Sequence, residues 1–106
     1  MTEDSAFTIE CTTDGVLRAT CTGELDLVGE PLLVQKVNES LCDNEVCAVV
    51  VDVTAVSFMD SSGLRALLAC RDQAAHRAVP FTVAVCPGPV TRLFEVAGVT
   101  DWFTYE

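Results

Sequence analysis

The stretch 46-VCAVVVDV-53 limits what this chain can fold into more than any other. A nearly continuous β-branched run with no alternation predicts a central strand covered on both sides, as parallel strands in α/β domains are. The period then changes. Beyond 56-VSFMDSSG-63, Leu64, Leu67, Leu68, Arg71, Ala75 and Ala78 trace one helical stripe. Arg71 within that stripe is expected to lay its aliphatic stem over apolar surface while its charge reaches water. A strand running straight into a helix is the building unit of a layered α/β sheet.

The flanking segments repeat that alternation of periods. Residues 1–6 read as a loose polar lead-in. Phe7, Ile9 and Cys11 then alternate with Thr8, Glu10 and Thr12, and Asp14-Gly15 is a hairpin turn signal. After it, Leu17, Ala19 and Cys21 form one face of a second strand, and Arg18, Thr20 and Thr22 form the other. GELDLVGEP at 23–31 breaks the pattern, and Pro31 suits the first turn of a helix. From Leu32, the positions Leu33, Val34, Val37 and Leu41 recur at helical spacing until CDNE at 42–45. Downstream, Pro80 precedes FTVAVC at 81–86, a second central-type strand. PGP at 87–89 is a rigid turn into a short helix carrying Val90, Leu93, Phe94 and Ala97, with Gly98 as its cap. DWFTY at 101–105 reads as a short edge strand or a docking tail. The expectation is one domain over residues 1–106 with an α/β fold. It has a single-layer mixed β-sheet, an opening β-hairpin and about three main helices.

Charge and composition exclude several functions. Sixteen acids against six bases give a formal charge of -10, which repels nucleic-acid backbones and anionic membranes and suits a basic partner. No apolar run approaches the roughly 20 residues that span a bilayer. The start MTEDSAF is acidic and lacks the features of a signal peptide, so a cytoplasmic protein is expected. Six cysteines, at 11, 21, 42, 47, 70 and 86, form no CxxC, and His76 is the only histidine. Buried free thiols are therefore expected, with no structural metal and no cofactor.

An enzyme would need a base beside Ser61 or Ser62. His76 stands 14 residues beyond Ser62 on the same predicted helix, about 21 Å away at 1.5 Å per residue. DSSG lacks the flanking glycines of a GxSxG elbow, and GELDLVG lacks the lysine of a Walker loop. No catalysis is expected.

Two readings of Asp60-Ser61-Ser62-Gly63 stand side by side. In the plainer one, Asp60 or Ser61 caps the helix and Gly63 relieves crowding at the junction. In the other, the turn displays a hydroxyl. Two adjacent serines exceed what one cap requires, and Ser62 falls in the first helical turn. A phosphate there sits over the positive end of the helix dipole, so the fold tolerates it while the surface changes.

At this point the chain resembles the anti-sigma factor antagonists, small bacterial domains of the STAS family. VVVDVTAVSFMDSSGLRALL (49–68) is similar to their central strand and phosphorylatable turn nearly position by position. GELDLVGEPLL (23–33) and CPGPVTRLFEVAGVTDWF (86–103) resemble the segment after the opening hairpin and the family's closing stretch. The resemblance implies helices packed mainly on one side of the sheet, unlike the two-sided cover read from the apolar strands. It implies that the unphosphorylated protein binds an anti-sigma factor with serine kinase activity and so frees a sigma factor. Phosphorylation of Ser62 then ends binding until a phosphoserine phosphatase reverses it. By position, Asp60, Ser61 and Gly63 shape the turn, and Asp26 with Glu24 matches a partner-contact segment. Arg65, where family members often carry a small residue, is placed at the partner surface from its exposed helical phase. The same domain also occurs as a binding module of stress-sensing or transport-associated complexes without a phosphoswitch.

Overall fold

A computed structural model describes residues 5–25, 30–43 and 45–106, with backbone alone at 5–7, 24, 25, 30 and 31. Strands β1 (Ser5–Cys11) and β2 (Val16–Leu25) form the opening hairpin, pairing Glu10 with Arg18 and Cys11 with Leu17. β1 thus begins inside the predicted lead-in. Helix α1 (Glu30–Leu41) leads to β3 (Ala48–Met59), α2 (Ser61–His76) to β4 (Phe81–Ala84), and α3 (Pro89–Ala97) to β5 (Thr104–Tyr105). The sheet order is β1-β2-β3-β4-β5, antiparallel at the hairpin and parallel thereafter. DWFTY supplies a short 3-10 turn and then the edge strand.

Gly15 closes the hairpin for a steric reason. Its φ is +88°, and a Cβ there would lie 2.5 Å from the Glu45 carbonyl oxygen. That approach is what lets Cys47 N–H donate to the Gly15 carbonyl at 2.8 Å, docking the start of the central strand on the turn.

The core lies on one face of the sheet. Leu17, Ala19, Cys21, Val49, Val51, Val53 and Val83 pack in a single cluster with Leu33 and Val37 of α1, Leu67, Cys70 and Ala74 of α2, and Val90 and Phe94 of α3. The intervening positions Arg18, Thr20, Asp52 and Thr82 belong to the opposite face and lie outside that cluster. The expected two-sided cover of the central strand is therefore corrected to one-sided packing. Asp52, the one polar residue of the run, marks the uncovered face, while Val50 beside it is buried outside that cluster.

β3 also runs six residues past the predicted strand. Its register with β2 slips twice, because Thr20 pairs with Asp52 but Thr22 with Ala55, and Gly23 pairs with Val56 but Glu24 with Phe58. Each slip inserts one residue in β3 and flips the phase of every later side chain. Inward residues therefore fall at Val53, Val56 and Met59, three apart, and the alternation that signals a strand disappears. On α2 the buried stripe is Leu64, Leu67, Cys70 and Ala74 with Gly63 and Ala66. Ala75 and Ala78 are exposed instead of buried, Ala75 because Ala74 takes the inward position of that turn and Ala78 because α2 has already ended at His76.

The cysteine expectation holds for two thiols only. Cys21 and Cys70 are buried, whereas Cys11, Cys42, Cys47 and Cys86 are exposed and free. Burial pushes the Cys21 and Cys70 thiols up to about 12. In the native protein at pH 8, a thiol-specific chromogenic reagent is expected to titrate four cysteines promptly and the last two only after unfolding. Prompt reaction of all six would contradict the packing of this core.

On the open face, Arg18 Nη2 donates to Asp52 Oδ2 at 2.7 Å, and Arg18 Nη1 donates to Glu106 Oε2 at 3.1 Å. Thr54 donates its N–H and hydroxyl to Asp52 Oδ1 at 2.9 and 2.7 Å. Burial by itself would raise the Asp52 carboxyl, but the Thr54 and Arg18 hydrogen bonds hold it below its usual value. A depressed carboxylate stabilises the fold above its unfolded pKa of about 3.9 and loses that contribution as pH falls through the lower folded value. Parent and Asp52→Asn are expected to differ in urea midpoint at pH 7, to begin converging near about pH 4 and to meet only below the lower folded value. A gap that persists in acid would contradict this assignment.

Candidate functional site

Met59 ends β3 facing the core, and Asp60 then takes an extended conformation (φ -111°, ψ -169°) as the N-cap of α2. Its Oδ1 accepts from Ser62 N–H at 2.9 Å and Gly63 N–H at 3.2 Å, and its carbonyl accepts from Leu64 N–H at 3.0 Å. The cap is Asp60, not Ser61. Both serines are thereby released from capping, with Ser61 exposed and Ser62 half-buried in the first turn. Gly63 is buried and has no positive φ, so its backbone conformation does not itself require a glycine.

The sheet register brings a second segment beside this turn. Glu24 pairs with Phe58 and Leu25 with Met59, so the end of β2 runs alongside the residues that enter the turn. Ser57 Oγ donates to the Gly23 carbonyl at 3.2 Å and ties the two strand ends together. Asp26 lies outside the described residues, and of Glu24 only the backbone is described. Arg65 is exposed on α2, one turn after Ser62. Asp60, Ser61, Ser62, Gly63 and Arg65 thus stand together at the head of α2, with Glu24 entering on the neighbouring strand.

Phe58 is the residue that sequence reasoning missed. It is 47% exposed two positions before Asp60, at the second register slip of β3. Period-2 counting gives no sign of this, because the slips alone decide which way Phe58 points.

Among the described residues, no histidine lies beside the two serines. α2 runs unbroken from Ser61 to His76, so the imidazole is about 21 Å from Ser62. Among the described residues, no cluster of His, Cys, Asp or Glu has the geometry to hold a metal ion. A groove of about 460 Å³ lies towards the far end of α2, lined by Arg71, Asp72, Ala75, Val79, Phe81 and Trp102, away from both serines. Among the described residues, no helix is long and apolar enough to cross a membrane. What the head of α2 offers is a displayed hydroxyl on a rigid, capped turn.

The STAS domain family matches residues 11–106. The anti-sigma-F factor antagonist RsfB of Mycobacterium tuberculosis is 37% identical over 79 residues, covering 74% of this chain and 62% of that protein. The chain therefore spans less than two thirds of that relative's length. The crystal structure of an anti-sigma factor antagonist from Mycobacterium paratuberculosis superposes with a TM-score of 0.80 at 27% identity, covering 95% of this chain and 84% of that one. The Bacillus cell fate determinant SpoIIAA in its phosphorylated form superposes with a TM-score of 0.73 at 24% identity, covering 95% and 91%, a likeness of fold.

Proposed function

This chain belongs to the STAS domain family, and from that premise we propose that it acts as an anti-sigma factor antagonist. Its unphosphorylated form binds an anti-sigma factor that is also a serine kinase, in the cytoplasm, and a sigma factor is released. The kinase then transfers phosphate to Ser62. In that step Ser62 Oγ attacks the γ-phosphorus of the kinase's ATP, the bond to ADP breaks, and the hydroxyl proton passes to a base of the kinase. A phosphoserine phosphatase restores the binding form. The chain is a substrate in this cycle and not an enzyme.

One observation carries the proposal. Asp60 alone supplies the cap of α2, so the Ser62 hydroxyl is surplus to the fold and half-accessible at the helix head. The relatives described as anti-sigma factor antagonists support the choice of partner. Glu24, Asp26, Ser62 and Arg65 form the partner surface in this scheme, with Asp60, Ser61 and Gly63 holding the turn.

The cycle is testable by capture on the immobilised protein from a lysate of its native cells, with and without prior ATP. An anti-sigma factor retained without ATP, lost with ATP, and retained by Ser62→Ala under both conditions is the expected result. Retention by the parent whatever the ATP history would leave a constitutive binding module instead.

A further inference from the structure

A phosphate added at Ser62 meets a helix head at which the amides of residues 62, 63 and 64 are already taken by Asp60. Helix N-termini hold anions because their first N–H groups lack partners. Here Ser62 and Gly63 N–H donate to the Asp60 carboxylate, and Leu64 N–H donates to the Asp60 carbonyl. A dianion on Ser62 Oγ therefore faces a neighbouring carboxylate of like charge with three of the nearby amides engaged, which favours a counter-charge from a side chain.

Helical residues three apart are neighbours, with Cβ atoms about 5–6 Å from each other. Helix side chains also lean back over the turn that precedes them. Arg65 stands three residues after Ser62 on the exposed side of α2, a spacing from which a long helical side chain can reach the turn that carries the serine. The first turn of α2 holds no acid to compete there, and the next cation along the helix is Arg71, six residues further on.

We propose that Arg65 is a phosphate clamp, pairing within the same chain with the phosphate on Ser62. The proposal rests on Ser62 being the phosphoacceptor. Arg65 already takes part in an interaction in the unmodified protein, so phosphorylation makes it exchange partners. The modification thereby alters two positions at once. It adds about two negative charges at Ser62 and withdraws the Arg65 cation from the surface that a binding partner meets. A guanidinium grips phosphate through two parallel hydrogen bonds, which a lysine cannot reproduce.

The test uses protein carrying phosphoserine installed chemically or genetically at position 62, so that no kinase is needed. The second phosphate ionisation, ordinarily near pH 6, is followed by phosphorus NMR in the parent, Arg65→Gln, Arg65→Lys and Arg92→Gln. The parent is expected to titrate about half a unit below Arg65→Gln, with Arg65→Lys between them and Arg92→Gln like the parent. Identical titrations of the parent and Arg65→Gln overturn the clamp, as does a shift removed by Arg92→Gln but not by Arg65→Gln. Circular dichroism of the unmodified variants checks that each folds. A failed clamp leaves open whether cells phosphorylate Ser62, whereas failure of the ATP-dependent capture removes the proposed function without touching this pairing.

Discussion

Phe94→Ala is expected to destabilise the fold by about 3–5 kcal/mol, the largest loss anticipated for a single truncation in this chain. Phe94 is 1% exposed, and its ring stacks on Phe103 at 5.2 Å and on Tyr105 at 6.5 Å. Phe103 in turn packs on Phe81 at 6.4 Å. This aromatic cluster joins α3, β4 and the segment that ends in β5. Because β5 is only two residues long, its backbone pairing with β4 is short and ring packing adds much of what holds that edge in place. A domain of this size has a total stability of about 5–15 kcal/mol, so the variant is brought near the limit of folding at 37 °C. Urea unfolding reads the effect as a lower midpoint with an unchanged slope. Val96, 81% exposed on the same helix, is the control, and Val96→Ala should stay within about 0.5 kcal/mol of the parent. A loss below about 1 kcal/mol for Phe94→Ala would mean that the cluster does not anchor the edge.

Ser62→Asp should separate folding from binding. An acid in the first turn of a helix is favoured by about 0.3–1 kcal/mol through the dipole, the neighbouring Asp60 carboxylate offsets part of that gain, and the Ser62 hydroxyl makes no capping bond that the change would break. Thermal stability is therefore expected to stay level or to rise slightly. Partner affinity is expected to fall on the order of 100-fold, since a charge opposed across an interface costs several kcal/mol and each 1.4 kcal/mol is tenfold. Ser62→Ala keeps the neutral surface and should bind like the parent. Isothermal titration against the purified anti-sigma factor measures both. Equal affinity of the Ala and Asp variants would place Ser62 outside the interface.

Much of this molecule is readable from local chemistry alone. Pro31, Pro80, the PGP turn and Gly98 punctuate the chain where its period changes, and the order of elements follows from them. Gly98 caps α3 in the left-handed conformation at φ +73°, as its position after Ala97 implies. The head of α2 is legible for the same reason, because a cap is an interaction among four consecutive residues. Features that depend on distant pairing are less visible. The two slips of β3 against β2 space its inward residues three apart, so 54–59 reads as neither strand nor helix. One-sided cover of the sheet is signalled by Asp52 alone within an otherwise apolar run. The stripe on α2 is led astray by Ala75 and Ala78, because alanine is small enough for either face. Four cysteines lie at exposed positions, two of them, Cys47 and Cys86, disguised by apolar neighbours. Phe58 and the approach of Glu24 to the turn depend wholly on register, which no local pattern encodes.

The proposed switch depends above all on Ser62 being a reversible phosphoacceptor. Its most direct test is intact and peptide mass spectrometry of the protein after incubation with ATP and a lysate of its native cells, with Ser62→Ala treated in parallel. A single phosphate mapped to Ser62, and absent from the variant, is the result predicted. A chain left unmodified by extracts of both growing and stressed cells would contradict it, and Ser62 would then be one residue of a well-capped turn in a module that binds without a switch.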